Sequence, residues 1–179
     1  MKGRSPYDKC PVYTSEHFSL RLVEEGDAED MLCCYSDVSS VRLMNADNCT
    51  SDFYYTTLSE MKDCIQGWLK GYERGVPVCI RFSIIDTQNG KVIGTIEMYV
   101  KSRDIGVLRI DLCSAYETQN HIIELLQLST GKFYDVYGVQ HILTKAIPIA
   151  TERIAALRAC GFTPAEHHAM KPHGDYYIR

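Results

Sequence analysis

No stretch of this sequence comes near the roughly 18 consecutive apolar residues that a membrane-spanning helix requires. The opening segment, "MKGRSPYDKCPVY", carries Lys2 and Arg4 but lacks the apolar middle of a secretory signal. No run of Lys or Arg offers a polyanion a place to lie, and the net charge is −4. Nucleic acid is therefore an unsuitable main partner. Internal repeats, low-complexity tracts and linkers are also absent. With 45% apolar and 23% charged residues the chain is ordinary globular material, not disordered. The expectation is one soluble, cytoplasmic domain over residues 1–179, with 1–15 as an N-terminal extension. A small molecule or another protein is the expected partner, a homodimer being one assembly open to it.

Cysteine is plentiful, at eight residues, yet no C-x-x-C pair occurs among Cys10, Cys33, Cys34, Cys49, Cys64, Cys79, Cys113 and Cys160. The spacing fits neither a secreted disulfide framework nor a zinc site. Reduced thiols serving as small core residues are expected, and no metal. "EHHAMKPH" holds His167, His168 and His173, but adjacent histidines on a strand point to opposite faces, so a polar hairpin is favoured over a metal site.

Periodicity orders the rest. "FSLRLVE" (18–24) alternates as a strand, and "GDAEDMLCCYSD" follows as a short helix with Asp27 as its cap. Residues 44–58 read as a loop ending in an aromatic cluster. A second helix, capped by Ser59, places Met61, Ile65, Trp68, Leu69 and Tyr72 on one face and stops at Gly75-Val76-Pro77. "VCIRFSIID" and "KVIGTIEMYV" flank Asn89-Gly90, a pair suited to a tight hairpin, and "IGVLRIDLC" is the next strand. A helix from Asn120 to about Tyr137 ends at Gly138. "VQHILTKAI" is a strand, Thr151 caps "ERIAALRAC", and Gly161 ends that helix. "FTPAEHHAM" and "GDYYIR" form a last hairpin. The order β-α-α-β-β-β-α-β-α-β-β gives a mixed α/β fold of about seven strands and four helices. A helical crossover joins its fourth and fifth strands.

That order, with "FSLRLVEEGDAEDML", "GKVIGTIEMYV" and "ATERIAALRACGF", resembles the GNAT superfamily of N-acetyltransferases across nearly the whole chain. The similarity is greatest to the branch acting on ribosomal-protein and other protein N-termini or on small-molecule amines. The resemblance implies an acyl-CoA N-acyltransferase fold with a V-shaped opening between the fourth and fifth strands. There the pantetheine arm of acetyl-CoA, the co-substrate, would bond to main-chain groups around Asp111, Leu112 and Cys113. The family's glycine-rich pyrophosphate loop is not reproduced. Glu117, Thr118, Gln119, Asn120, His121 and Ile122 fall over that motif, with Gln119 as a stand-in for its polar lead residue and Asn120 at a glycine position. Glu117 would bring negative charge toward a diphosphate. Ala150 replaces a frequent asparagine, and Leu157 a tyrosine able to protonate the leaving thiolate.

Transfer to an amine needs the amine unprotonated, so a carboxylate near the cleft is wanted. Glu97, acidic in a central apolar strand, and Asp111, beside the pantetheine edge, are the candidates, the alternative for Glu97 being a solvent-facing position. Tyr116 or Tyr134 would be the acid. Phe53, Tyr54 and Tyr55 would line the acceptor pocket, or anchor the loop. The expected activity is acetyl transfer from acetyl-CoA to a primary amine of a small molecule or protein. The alternative is a catalytically degenerate member that binds a ligand or partner without chemistry.

Overall fold

A computed structural model of the chain describes residues 10–44, 53–73, 79–100, 104–165 and 175–179. Its described strands form one sheet in the order β1-β2-β3-β4-β5-β6-β8-β7. These are β1 (Tyr13–Thr14), β2 (Phe18–Leu22), β3 (Cys79–Asp86), β4 (Val92–Val100), β5 (Ile105–Leu112), β6 (His141–Lys145), β7 (Thr163–Pro164) and β8 (Tyr176–Ile178). Among the described residues five α-helices accompany them: α1 (Ala28–Tyr35), α2 (Val38–Leu43), α3 (Leu58–Glu73), α4 (Gln119–Tyr137) and α5 (Thr151–Ala159). The mixed α/β expectation holds, with β1 and α2 added. β1 falls inside the stretch expected as an N-terminal extension, yet it pairs antiparallel with β2.

Alternation on the strands sorts the sheet's two faces. Leu108, Ile110 and Leu112 of β5 join Ile96 and Met98 of β4 in a core against α4 and α5, where Leu125, Leu126, Phe133 and Leu157 are buried. The other face meets α1 and α3 through Met31, Tyr35, Met61 and Ile65, with Trp68 and Leu69 packed beside them. Each large apolar side chain so buried contributes about 1.5–3 kcal/mol.

The β3–β4 hairpin forms at the expected place: Gly90 takes φ 73°, and the Asp86 carboxylate accepts from the Gln88 N–H and the Asn89 side chain, both at 2.8 Å. Gly94 has a different reason to be glycine. A Cβ there would run into the Asp111 carbonyl oxygen, so the close approach of β4 to β5 depends on its absence.

Of the expected helix caps, one keeps its place without its bond and two shift. Asp27 stands at the N-cap of α1 as expected but makes no cap bond to it; its carboxylate accepts from Arg21 at 2.6 and 2.9 Å, from Ser83 at 2.6 Å and from the Glu24 N–H at 2.9 Å. Thr57, not Ser59, caps α3 by accepting from the Glu60 N–H at 3.3 Å. Thr118 caps α4, which begins at Gln119, one residue before the expected Asn120. Thr151 is the first residue of α5, and Ala150 occupies its cap position with no side-chain bond. Gly138 and Gly161 end their helices at φ 63° and 84°. β7 pairs antiparallel with β8 as expected. The stop at Gly75-Val76-Pro77, the hairpin turn, and His167, His168 and His173 lie outside the described residues.

Candidate functional site

The one parallel pairing among the described strands joins β5 to β6, from Ile105↔His141 to Leu108↔Thr144. It stops there, although β5 runs on to Leu112. Cys113 donates its N–H to the Ile93 carbonyl at 2.8 Å, which fixes the alternation along β5. Asp111 and Arg109 turn their main-chain groups to β4, while Ile110 and Leu112 turn theirs toward the side that β6 has left. Of the three positions expected to offer main-chain groups to a ligand arm, only Leu112 therefore faces the opening, and Ile110 joins it.

What meets this edge is a side chain. Arg153 of α5 donates from Nη1 to the Ile110 carbonyl at 2.8 Å. Its Nε and Nη2 pair with the two carboxylate oxygens of Glu117 at 2.6 and 2.8 Å. Glu117 thus does not extend charge toward solvent; it turns inward, 8% exposed, onto Arg153, a residue 4% exposed.

The start of α4 is partly satisfied from within. The Gln119 N–H donates to the Glu152 carboxylate at 3.0 Å, and the His121 N–H donates to the Thr118 hydroxyl at 3.4 Å. Asn120 is exposed, and Ile122 is fully buried in the core. The His121 ring lies against Phe18 and Tyr116, with centroids 5.4 and 5.6 Å away. Tyr116 donates to the Asp86 carboxylate at 2.7 Å, and that bond raises its pKa above the ordinary tyrosine value.

On the other face, strand alternation gathers a polar network beneath α1 and α3. Arg81 of β3, Thr95 and Glu97 of β4, and Arg109 and Asp111 of β5 all point there, each 7% exposed or less. Arg109 grips Asp111 through Nε at 2.9 Å and Nη2 at 2.8 Å. Arg81 reaches Glu97 at 2.6 Å and Asp111 at 3.5 Å. Tyr35, fully buried on α1, donates to Asp111 at 2.7 Å and touches Thr95 at 2.9 Å. Burial opposes ionisation of Asp111, but Arg109 and Arg81 overcome it and hold the carboxyl below its usual range. Burial and the facing Asp111 carboxylate push the Tyr35 hydroxyl well above its usual value.

Aromatic rings roof this network. The Arg109 guanidinium lies 3.9 Å from the Phe53 ring centroid, and that of Arg81 lies 4.1 Å from Trp68. Tyr35 sits between Phe53, Tyr55 and Trp68, at centroid distances of 6.4, 6.0 and 6.2 Å. Phe53 and Tyr55 thereby meet the network through Tyr35, and Phe53 also through Arg109, whereas Tyr54 is 47% exposed. Glu97 does not face solvent. Arg81, Arg109, Tyr35 and Trp68 belong to the site although sequence reasoning passed over them. The signal was present in "RFS", "TIE" and "RID", where charged residues interrupt apolar strands on one face.

Among the described residues no group of three or more His, Cys, Asp or Glu side chains could hold a metal ion. Nor is any described helix long and apolar enough to cross a membrane.

No family model matches the chain, and no curated protein matches it in sequence. Solved structures do match its fold. A GNAT-family acetyltransferase from Bacillus anthracis gives a TM-score of 0.72 at 13% identity, over 94% of this chain and 98% of that one. A putative ribosomal-protein-serine acetyltransferase from Vibrio cholerae gives 0.71 at 15%, over 98% of each chain. A RimL ribosomal L7/L12 α-N-protein acetyltransferase, solved in complex with coenzyme A, gives 0.71 at 14%, over 94% of this chain and 97% of that one. The architecture is that of the GNAT acetyltransferases.

Proposed function

We propose that the chain is an acyl-CoA-dependent N-acyltransferase, moving acetyl from acetyl-CoA to a primary amine of a small molecule or protein. The observation that carries this reading is the departure of β6 from β5 after Leu108↔Thr144. Among the described strands none pairs with the main-chain edge of Ile110 and Leu112, directly before the turn into α4. Such an edge can bond a pantetheine arm as an added strand and aim a main-chain N–H at the thioester carbonyl where negative charge develops. The aromatic-roofed polar network on the adjoining sheet face is the proposed acceptor side, with Phe53 and Tyr55 in its roof. Asp111 is held ionised by two guanidiniums and a tyrosine, and Glu97, which pairs with Arg81 at 2.6 Å, is the proposed base.

Thermal unfolding with acetyl-CoA tests the reading. Ligand at 100 times its Kd adds about 2.7 kcal/mol to stability. A melting curve unmoved by millimolar acetyl-CoA overturns it.

One observation favours a second reading, a binding protein of this fold without chemistry: Arg153 and Glu152 already occupy main-chain groups that an acyl-CoA would use. Release of coenzyme A above background with any member of an amine panel excludes that second reading.

A further inference from the structure

The first turn of α5 carries Thr151, Glu152 and Arg153 in succession, and its two charged side chains reach two different elements. Glu152 places a carboxylate oxygen 3.0 Å from the Gln119 N–H at the start of α4. Arg153 places an N–H donor 2.8 Å from the Ile110 carbonyl on the open edge of β5. The pairing of chemistries is specific. An acyl-CoA offers an anionic diphosphate to helix N–H groups and amide N–H donors to a strand's carbonyls. Here a carboxylate stands at the N–H and a guanidinium N–H stands at the carbonyl. The chain's own side chains reproduce the ligand's two kinds of contact, in the same order along β5 and α4.

The two differ in how firmly they are held. Arg153 is buried and tied at two points to Glu117. Glu152 is exposed, and the bond from Gln119 is its one hydrogen bond among those described. A diphosphate arriving at α4 meets a carboxylate that competes for the same N–H and repels it.

We propose that Glu152 sets the affinity of this site for acyl-CoA: it accepts the Gln119 N–H at the start of α4 in the ligand's place, and binding proceeds by expelling it. The proposal rests on the acyltransferase reading. Its energetic content is a competition at one helix end, confined to the diphosphate half of the ligand. The pantetheine half, which meets β5, is indifferent to it. Arg153 remains anchored on Glu117 and yields only its contact with Ile110.

The experiment compares the intact protein with Glu152→Gln, an exposed substitution that keeps the side chain's length and removes its charge. Binding of acetyl-CoA, of the adenosine diphosphate half of coenzyme A, and of pantetheine is measured by calorimetry on both proteins. The variant binds acetyl-CoA and the diphosphate half about tenfold more tightly, the effect of about 1.4 kcal/mol at the helix end, and pantetheine unchanged. Equal acetyl-CoA affinity in the two proteins overturns the gating role while the acyltransferase reading stands. A gain for pantetheine as large as that for the diphosphate half also overturns it, since the effect then does not lie at α4. If neither protein binds acetyl-CoA or either half, the acyltransferase reading itself falls and takes the gate with it.

Discussion

Arg153 and Glu117 face each other at two points inside the protein, Nε to Oε1 at 2.6 Å and Nη2 to Oε2 at 2.8 Å. The partners are 36 residues apart, so the pair ties α5 to the turn before α4. Removing one partner of a buried ion pair leaves a charge without compensation, which costs about 3–5 kcal/mol. Glu117→Gln is therefore expected to lower the urea midpoint strongly. Combining it as Glu117→Leu with Arg153→Met should recover most of that loss. What stays lost is about 1–3 kcal/mol, from the Ile110 carbonyl left without its donor. Urea denaturation of the two variants beside the parent checks both expectations.

Gly94 and Asp111 define a second vulnerable contact. Gly94 has φ 153°, and an added Cβ collides with backbone, which cannot swing aside as a flexible side chain can. Gly94→Ala should destabilise the protein by about 3 kcal/mol, combining overpacking with backbone strain. Gly67, where nothing lies within 4 Å of a built Cβ, provides the contrast. Inside α3 the change Gly67→Ala should be neutral or stabilising by up to about 1 kcal/mol. Paired thermal melts decide the matter.

These positions also show what the sequence could and could not convey. The Asn89-Gly90 hairpin and the glycines ending α4 and α5 are local events, and local residue types specify them. The caps were less legible because Thr56, Thr57 and Ser59 are all competent. The choice fell to Glu60, whose carboxylate accepts from the Thr56 and Thr57 N–H groups at 3.0 and 2.9 Å. The polar network was half legible. Alternation shows that Arg109 and Asp111 share a face, but only strand register sets Glu97 opposite both Arg81 and Arg109. Tyr35 joins it from 76 residues away. Glu152 and Arg153 read simply as a charged first helical turn, because nothing nearby in sequence announces Gln119, Glu117 or Ile110 as their partners.

The N-terminal strands are pinned to α4 by a titratable pair, which gives stability a defined pH dependence. Glu124 accepts from the His17 N–H at 2.8 Å and from the Ser15 hydroxyl at 2.6 Å, and its other oxygen lies 2.8 Å from His17 Nδ1. The bond to Glu124 raises the His17 pKa against the opposing effect of desolvation, with Glu16 and Asp86 adding to the rise. Burial would raise Glu124, but Ser15 and His17 outweigh it and lower its pKa. A raised histidine contributes stability that is complete below its ordinary value of 6.5 and disappears as pH rises through the folded value. The lowered carboxylate contributes above its ordinary value of 4.5 and loses that contribution as pH falls through the folded value. The pair is therefore most stabilising between these two ordinary values. His17→Ala should destabilise most within that window and progressively less as pH rises above it. Denaturation of both proteins across a pH series tests this, and a difference independent of pH removes the assignment.

Glu97 and Asp111 occupy one network yet should respond differently to loss of charge. Asp111 is fully buried and faces two guanidiniums, so Asp111→Asn leaves excess positive charge in the interior and should cost about 3–5 kcal/mol. Its effect on activity would follow from damaged structure. Glu97→Gln also weakens a pair with Arg81, so stability alone cannot assign it a role. Under the acyltransferase reading the separation lies in kinetics. Loss of a general base lowers kcat by roughly 10²–10⁴, while the cofactor edge at Ile110 and Leu112 is on the strand's other side and keeps its affinity for acetyl-CoA. Glu97→Gln should thus bind acetyl-CoA like the parent and fail to turn over, with Glu97→Asp recovering part of the rate. If Glu97→Gln retains parental kcat on an accepted amine, the base is elsewhere, and Glu97 serves to hold Arg81 beneath Trp68.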